Sequence, residues 1–452
     1  MRAFLLALVV LSAFVPPCYI AAALPTLWII QHPFLDRSAT LIEVAGIDVT
    51  LVDGVILILV VKLVLKLIGT RKVVVDRPLY FSIAAFFVVN ILAILAAGVK
   101  FGAGSVFHGF VALTRLATEV AIVPFLANFI TTLTQAKRCL QIVAWTMVAL
   151  GVIQFINFFG ASHGITIGEV QGIERGELRY FGPVGDSIGF VLLLGYVGAL
   201  CAARPTFALL FAGGIVLTAG IGAIIGTAVA TALVLLFGLE SGTTRAFLRR
   251  YLWVFPILVF AGIVAAATIG RPMASTLVDR LSSGRFHQSG GQRLATLKMG
   301  VKMVMDNPLT GVGFMSYESS LERYGGKRFF NLAKLDGGTA NANNQILQSL
   351  TDAGAFGLVA FLVFATVSVR LFWKVSARCE DPFLRLSLRA SCLWLLTQLL
   401  GNHAAVWLIP SAYVARFLWV LLGITVAIAR LLPAPGRTPS FPVCGALRSA
   451  SP

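Results

Sequence analysis

Apolar runs of roughly 17–25 residues, the length that a bilayer core requires of a helix, recur along this chain between short polar connections. The first is MRAFLLALVVLSAFVPPCYIAAALPTLWII, with one positive charge and then none until Asp36. AAALP offers small residues for signal cleavage, but the stretch is read as an uncleaved first span. Further runs follow at 50–68, 78–98, 107–131, 139–160 and 187–203. A Gly-rich pair comes next, at 205–220 and 222–238, and the last four lie at 250–269, 355–373, 388–408 and 411–431. The pattern predicts an all-α integral membrane protein with about twelve transmembrane helices.

One long polar stretch, 270–354, interrupts the pattern between spans nine and ten. It is too polar to span and must fold on one side of the bilayer. Within it, Leu294, Leu297, Val301 and Val304 repeat at helical spacing, with Lys298 and Lys302 four apart beside them. That spacing predicts an amphipathic helix lying on the membrane face. The helix should stop at Asn307-Pro308, where LTGVG follows as a tight turn; no strand precedes the turn, so it is no dinucleotide fingerprint. Farther on, Asn341, Asn344, Gln345, Gln348 and Asp352 recur at three- and four-residue spacing and give one polar face at the mouth of the tenth span.

Composition agrees with a membrane protein: 58% hydrophobic and 12% charged residues, with a mean hydropathy of +0.90. Soluble domains carry about 25% charged residues. The net charge of +17 does not point to nucleic acid, because the basic residues sit in short clusters between apolar runs, with no nucleic-acid motif. Lys66, Arg71, Lys72 and Arg77 share one connection, and Lys137 with Arg138, Arg204, Arg245 with Arg249 and Arg250, and Lys374 with Arg378 and Arg385 lie in alternate ones. Positive-inside bias then puts both termini in the cytoplasm and the long loop on the extracytoplasmic side.

The expected division is spans one to nine over 1–269 with a small outer loop at 161–186, the large loop over 270–354, spans ten to twelve over 355–432, and a disordered cytoplasmic tail over 433–452. None of the six cysteines lies in the long loop, so no disulfide staples it.

Charges inside spans are costly and are candidates for function. Arg115 and Glu119, four apart in the fourth span, read as a self-neutralising pair. Asp53 and His403 fall near span ends, as water-facing and packing residues respectively. The small outer loop carries Glu174, Arg175, Glu177 and Arg179 before RYFGPVGDSIGF. It reads either as an interfacial loop with an aromatic anchor or as an arginine aimed at a headgroup phosphate.

The order of Arg293, amphipathic helix, NPLTGVGF, variable loop, polar pair and ILQSLTDAGAFGLVAFL resembles the O-antigen ligase and O-antigen polymerase superfamily, multi-spanning bacterial glycan transferases. RYFGPVGDSIGF and the closing ARFLWVLLGI are also similar to that family. The resemblance implies glycan transfer at the periplasmic face of the bacterial inner membrane, from an undecaprenyl-diphosphate-linked donor to an acceptor glycan or lipid A core. It implies membrane lipid and polysaccharide export or chain-length machinery as partners; no cofactor is expected, and with no Cys/His spacing and no paired carboxylates at a membrane interface the residues suggest no metal. Carried over by position, Arg179 and Arg293 match the family's two loop arginines, Asn343-Asn344 stands where His-Asn is usual, and Asp352 where an acidic residue is frequent. Two departures matter: Asn343 cannot take a proton, and LTAGIGAIIGTAVA lacks the Ser-Arg-Gly usual at the mouth of the Gly-rich hairpin.

The expected catalytic set is Arg179, Arg293, Asn343 and Asn344. Arg175, Arg280, Arg285, Lys298, Gln345 and Asp352 are expected to bind substrate, and His287, Glu318 and Asp336 are candidates for a general base. The missing histidine favours a polymerase of surface or exopolysaccharide repeat units over a ligase. The alternative of another class is a polysaccharide or lipid transporter.

Overall fold

The computed structural model describes the chain except for residues 1–14, 35–39, 45–46, 71–73, 161–162, 164, 166, 168, 172–178, 183–187, 219–220, 239–284, 322, 325–341, 343, 402–412 and 434–452. It describes the backbone alone at 28–34, 40–44, 47–53, 169–171, 179–182, 221, 238, 285–295, 401 and 413. The described helices are α1 (Pro17–Phe34), α2 (Leu51–Thr70), α3 (Arg77–Phe101), α4 (Ala103–Val120), α5 (Ile122–Phe129), α6 (Leu133–Gly160), α7 (Ile188–Cys201), α8 (Pro205–Leu217) and α9 (Ile221–Leu233), which runs on as a π-helical turn through Val234–Gly238. They continue with α10 (Arg285–Asp306), α11 (Gln345–Arg378), α12 (Pro382–Gly401) and α13 (Tyr413–Leu431).

Among the described residues, six helical segments are long and apolar enough to cross a membrane: Arg77–Phe101, Ala103–Phe129, Leu133–Gly160, Gln345–Arg378, Pro382–Leu400 and Val414–Leu431. The chain is a multi-pass membrane protein. The expected run at 250–269 lies outside the described residues.

The framework is all-helical, as expected, with two minor additions in its connections. Two short antiparallel hairpins are present, β1 (Thr40–Val44) with β2 (Ile47–Thr50) and β3 (Glu169–Gln171) with β4 (Arg179–Gly182). Both are connections, where strand pairing satisfies backbone groups without a helix, and hydropathy that finds spans is blind to them.

Helix α13 is the hub, with Phe417, Leu418, Val420, Leu422 and Ile424 all fully buried. Helix α3 leaves Phe81, Val88, Leu92, Leu95 and Val99 exposed along one side, an apolar stripe suited to lipid. Without a hydrophobic drive between helices in lipid, close approach depends on small residues. Gly423 of α13 accordingly sits against Leu126 and Val123, and Gly189 of α7 against Ala223 of α9.

The Arg115–Glu119 pairing read from spacing is not the one formed. Arg115 is exposed, while Glu119 is buried and takes a hydrogen-bonded ion pair from Arg416 of α13 at 3.1 Å. An i,i+4 neighbour on the same helix lost to a cation that tertiary packing brings to the buried face. At one end of the bundle Lys137 reaches Asp381 at 2.8 Å, joining the starts of α6 and α12. At the opposite end the top of α3 meets the polar segment.

Candidate functional site

The site is built where α11 breaks. Ala353 (φ −140°, ψ 20°) and Gly354 (φ 64°, ψ −155°) depart from helical geometry and divide α11 into a short first piece, Gln345 to Asp352, and a long second one. The Gly354 combination is one that glycine alone adopts without strain. A break of this kind leaves carbonyls and an N–H without helical partners, and inside a membrane protein they must be met from elsewhere. The turn at 307–316 meets them. Val312 N donates to Thr351 O at 2.7 Å, Gly313 N to Asp352 O at 3.0 Å, and Ala355 N to Pro308 O at 2.8 Å.

The interlock requires glycine on both sides. Gly311 (φ 64°) lies so near the 351–353 backbone that a Cβ there would stand 2.6 Å from Ala353 N, and Gly313 (φ 107°) faces Ala97 of α3. NPLTGVG and TDAG, far apart in the chain, thus form one complementary unit.

Side chains extend it. Asp352 is buried, and its Oδ1 accepts from Gln348 Nε2 at 2.8 Å and from Met315 N at 3.2 Å. Gln348 Oε1 in turn accepts from Ala342 N at 2.9 Å. Asn344 caps the helix, its Oδ1 accepting from Leu347 N at 3.0 Å, as expected of an N-cap residue. Gln345 is buried and reaches Ser349 Oγ at 3.4 Å.

Helix α10 packs on this unit through Met299 and Met303, with Gly300 allowing Leu347 to approach. Tyr317 OH donates to Thr296 O at 2.6 Å; burial pushes this phenol up, so it stays a donor. Asn307, at the end of α10, accepts from Lys100 Nζ at 2.7 Å and donates to Tyr324 OH at 2.9 Å. Lys100 also lies 3.4 Å from Thr310 Oγ1, and the Arg323 guanidinium sits 4.6 Å from the centre of the Phe101 ring. The result is a rigid, cation-bearing shelf over the end of α3.

A second structured connection carries Arg179. Asn157 of α6 holds the start of its loop, accepting from Ile167 N at 2.6 Å and donating to Ile167 O at 3.0 Å. Arg179 opens β4 opposite Gln171. Beyond the loop, Trp394 and Gln398 of α12 both donate to Phe190 O at 3.2 Å, fixing the start of α7.

Of the expected site residues, the structure brings Asn344, Gln345 and Asp352 together. Lys298 stands exposed on α10, and Glu318 is half-buried in the short helical stretch 317–321. Arg285, His287 and Arg293 lie on α10 and Arg179 on β4, with their side chains outside the described residues. Arg175, Arg280, Asp336 and Asn343 lie outside them altogether, as does His403, and so does the side chain of Asp53.

Lys100 was missed as a site residue because in sequence it is a lone cation at a span end. Asn307 was legible only as a helix stop. The two arms of the interlock carried a signal, glycines at 311, 313 and 354, that gains meaning only when the segments are seen to pair.

The family model described as O-antigen ligase matches residues 206–362. The resemblance read from the sequence is borne out over this stretch, while RYFGPVGDSIGF and ARFLWVLLGI lie outside it. The matched stretch opens on the Gly-rich helices α8 and α9, takes in the whole polar segment and ends within α11, so both arms of the interlock fall inside the O-antigen ligase match. The family carries glycan transfer of the ligase or polymerase type. No curated protein sequence matches the chain.

Proposed function

We infer that the protein transfers a glycan from an undecaprenyl-diphosphate-linked donor to an acceptor sugar at the periplasmic face of the inner membrane, polymerising surface or exopolysaccharide repeat units. The observation that carries this reading is the coincidence of the O-antigen ligase match with a rigid shelf at one end of the bundle. In the proposed topology twelve spans leave both termini in the cytoplasm, and the segment 270–354 lies between spans nine and ten.

The chemistry follows from the leaving group. The anomeric C–O bond to the diphosphate breaks, and the bond electrons leave with the diphosphate. The acceptor oxygen forms the new glycosidic bond and gives its proton to a base, for which His287, Glu318 and Asp336 are the candidates. The barrier lies mostly in charge growing on the diphosphate. Arginine answers it, because the guanidinium is always protonated and bonds phosphate in a fork. One such donor aimed at developing charge is worth about 2.7–4 kcal/mol.

We assign that role to Arg179 and Arg293, with Arg175, Arg280, Arg285 and Lys298 guiding the diphosphate in. Asn343, Asn344 and Gln345 would orient the acceptor, and Asp352 would hold the turn beneath them. Export or chain-length machinery would receive the product.

Asn343 in place of the family's usual histidine favours polymerase, while the description of the matching family favours ligase, with lipid A core as acceptor. Deletion in the native bacterium, followed by gels of its surface and secreted polysaccharides, tests both. Single repeats without long chains identify a polymerase, and glycan no longer joined to lipid A core identifies a ligase. Unchanged glycans defeat the proposal.

A further inference from the structure

From residue 296 on, helix α10 has two apolar faces, and the described residues cover only one. Thr296, Met299, Met303 and, just past the helix, Asn307 are buried. Leu297, Val301 and Met305, four residues apart and therefore in one row, are 43%, 44% and 75% exposed. Lys298 and Lys302, exposed as well, border this second row on the side away from the buried one. Of the spacing-based set, Leu297 and Val301 stand in this exposed row, while Val304 packs against the buried side.

The structure also sets the height of this row. Asn307 is bonded to Lys100, in the last turn of the 25-residue span α3. Leu309, likewise exposed, abuts Gly354, two residues before the exposed Phe356 at the top of the span in α11. Among the described residues, exposed apolar side chains thus stand both near the ends of these spans and along the outer side of α10, where Lys298 and Lys302 border them.

We propose that α10 lies in the bilayer interface, with Leu297, Val301 and Met305 in the acyl-chain boundary and Lys298 and Lys302 against the phosphates of anionic phospholipids. This goes beyond the transfer reading and does not need it. If that reading holds, lipid docking keeps position 293, one turn before Leu297, at headgroup depth, and Lys298 serves resident lipid in addition to substrate.

The test uses the full chain with Cys444→Ser and a nitroxide on Val301→Cys or, separately, on Asp306→Cys. Both are read in vesicles of phosphatidylcholine with equal phosphatidylglycerol, and in phosphatidylcholine alone. The expected result is that the label at 301 is reached by oxygen and shielded from a water-soluble nickel chelate, with the reverse at 306. Lys298→Gln with Lys302→Gln should lower the docked-to-undocked ratio ~30-fold in the anionic vesicles, from the usual contribution of a lysine near an anionic surface, with a much smaller change in phosphatidylcholine. A label at 301 as open to the nickel chelate as that at 306 overturns the proposal. So does one shielded from both reagents, which would mean a protein partner, or one indifferent to lipid charge and to the lysines. None of these readings depends on glycan transfer.

Discussion

Gly354→Ala is the sharpest probe of the interlock. At φ 64° and ψ −155° a residue with a Cβ sits in a region costing about 1–3 kcal/mol. The new methyl would also stand 2.6 Å from Thr310 N and nearer still to the Leu309 carbonyl. Both neighbours are backbone and cannot rotate away, which adds an overpacking cost of about 1–3 kcal/mol. Relief requires parting the turn from the break, at the expense of the bonds Val312 N to Thr351 O, Gly313 N to Asp352 O and Ala355 N to Pro308 O. The expected loss is therefore about 2–6 kcal/mol, read by thermal unfolding in detergent, with transfer activity falling too. Gly69→Ala, where nothing lies within 4 Å of the new methyl, is the control and should be neutral or slightly stabilising. Equal melting temperatures for the two variants would refute the interlock as the element that holds the site.

Three further perturbations separate structure from chemistry. Glu119→Ala removes the buried ion pair with Arg416 and should cost about 3–5 kcal/mol; adding Arg416→Leu should recover much of it, and a Glu119→Ala variant as stable as wild type would contradict the pairing. Asp352→Asn keeps an oxygen to accept from Gln348 and Met315, whereas Asp352→Ala strands both donors, so only the alanine variant should lose about 1–3 kcal/mol in thermal unfolding. The Lys137 hydrogen bond holds the Asp381 carboxyl below its usual range, so its small contribution is present above the unfolded carboxylate's pKa and is lost as pH falls through the lower folded one. A melting-temperature profile of Asp381→Asn should converge on wild type in acid, and a constant offset down to acid pH would show that the charge is not what matters.

Most of the helical architecture was legible because a bilayer imposes a length and a composition that a single chain displays openly. Asn307-Pro308 ended α10 as its spacing implied. What stayed hidden depends on segments meeting. Glu119 pairs with a residue 297 positions away, so local spacing selected the wrong arginine. The rows of α10 could be told from each other only once Met299 and Met303 were seen against Leu347. The polar face of Asn344, Gln345, Gln348 and Asp352 was visible, but not that part of it serves the chain's own turn.

Reconstituted protein supplied with an undecaprenyl-diphosphate-linked glycan and an acceptor offers the most direct measurement: free undecaprenyl diphosphate counted against new glycosidic bonds. The account predicts one diphosphate released for each bond formed, and a large drop when Arg293→Lys removes the forked phosphate contact. Glycan that crosses the bilayer still attached to its carrier, with no diphosphate released, would contradict it.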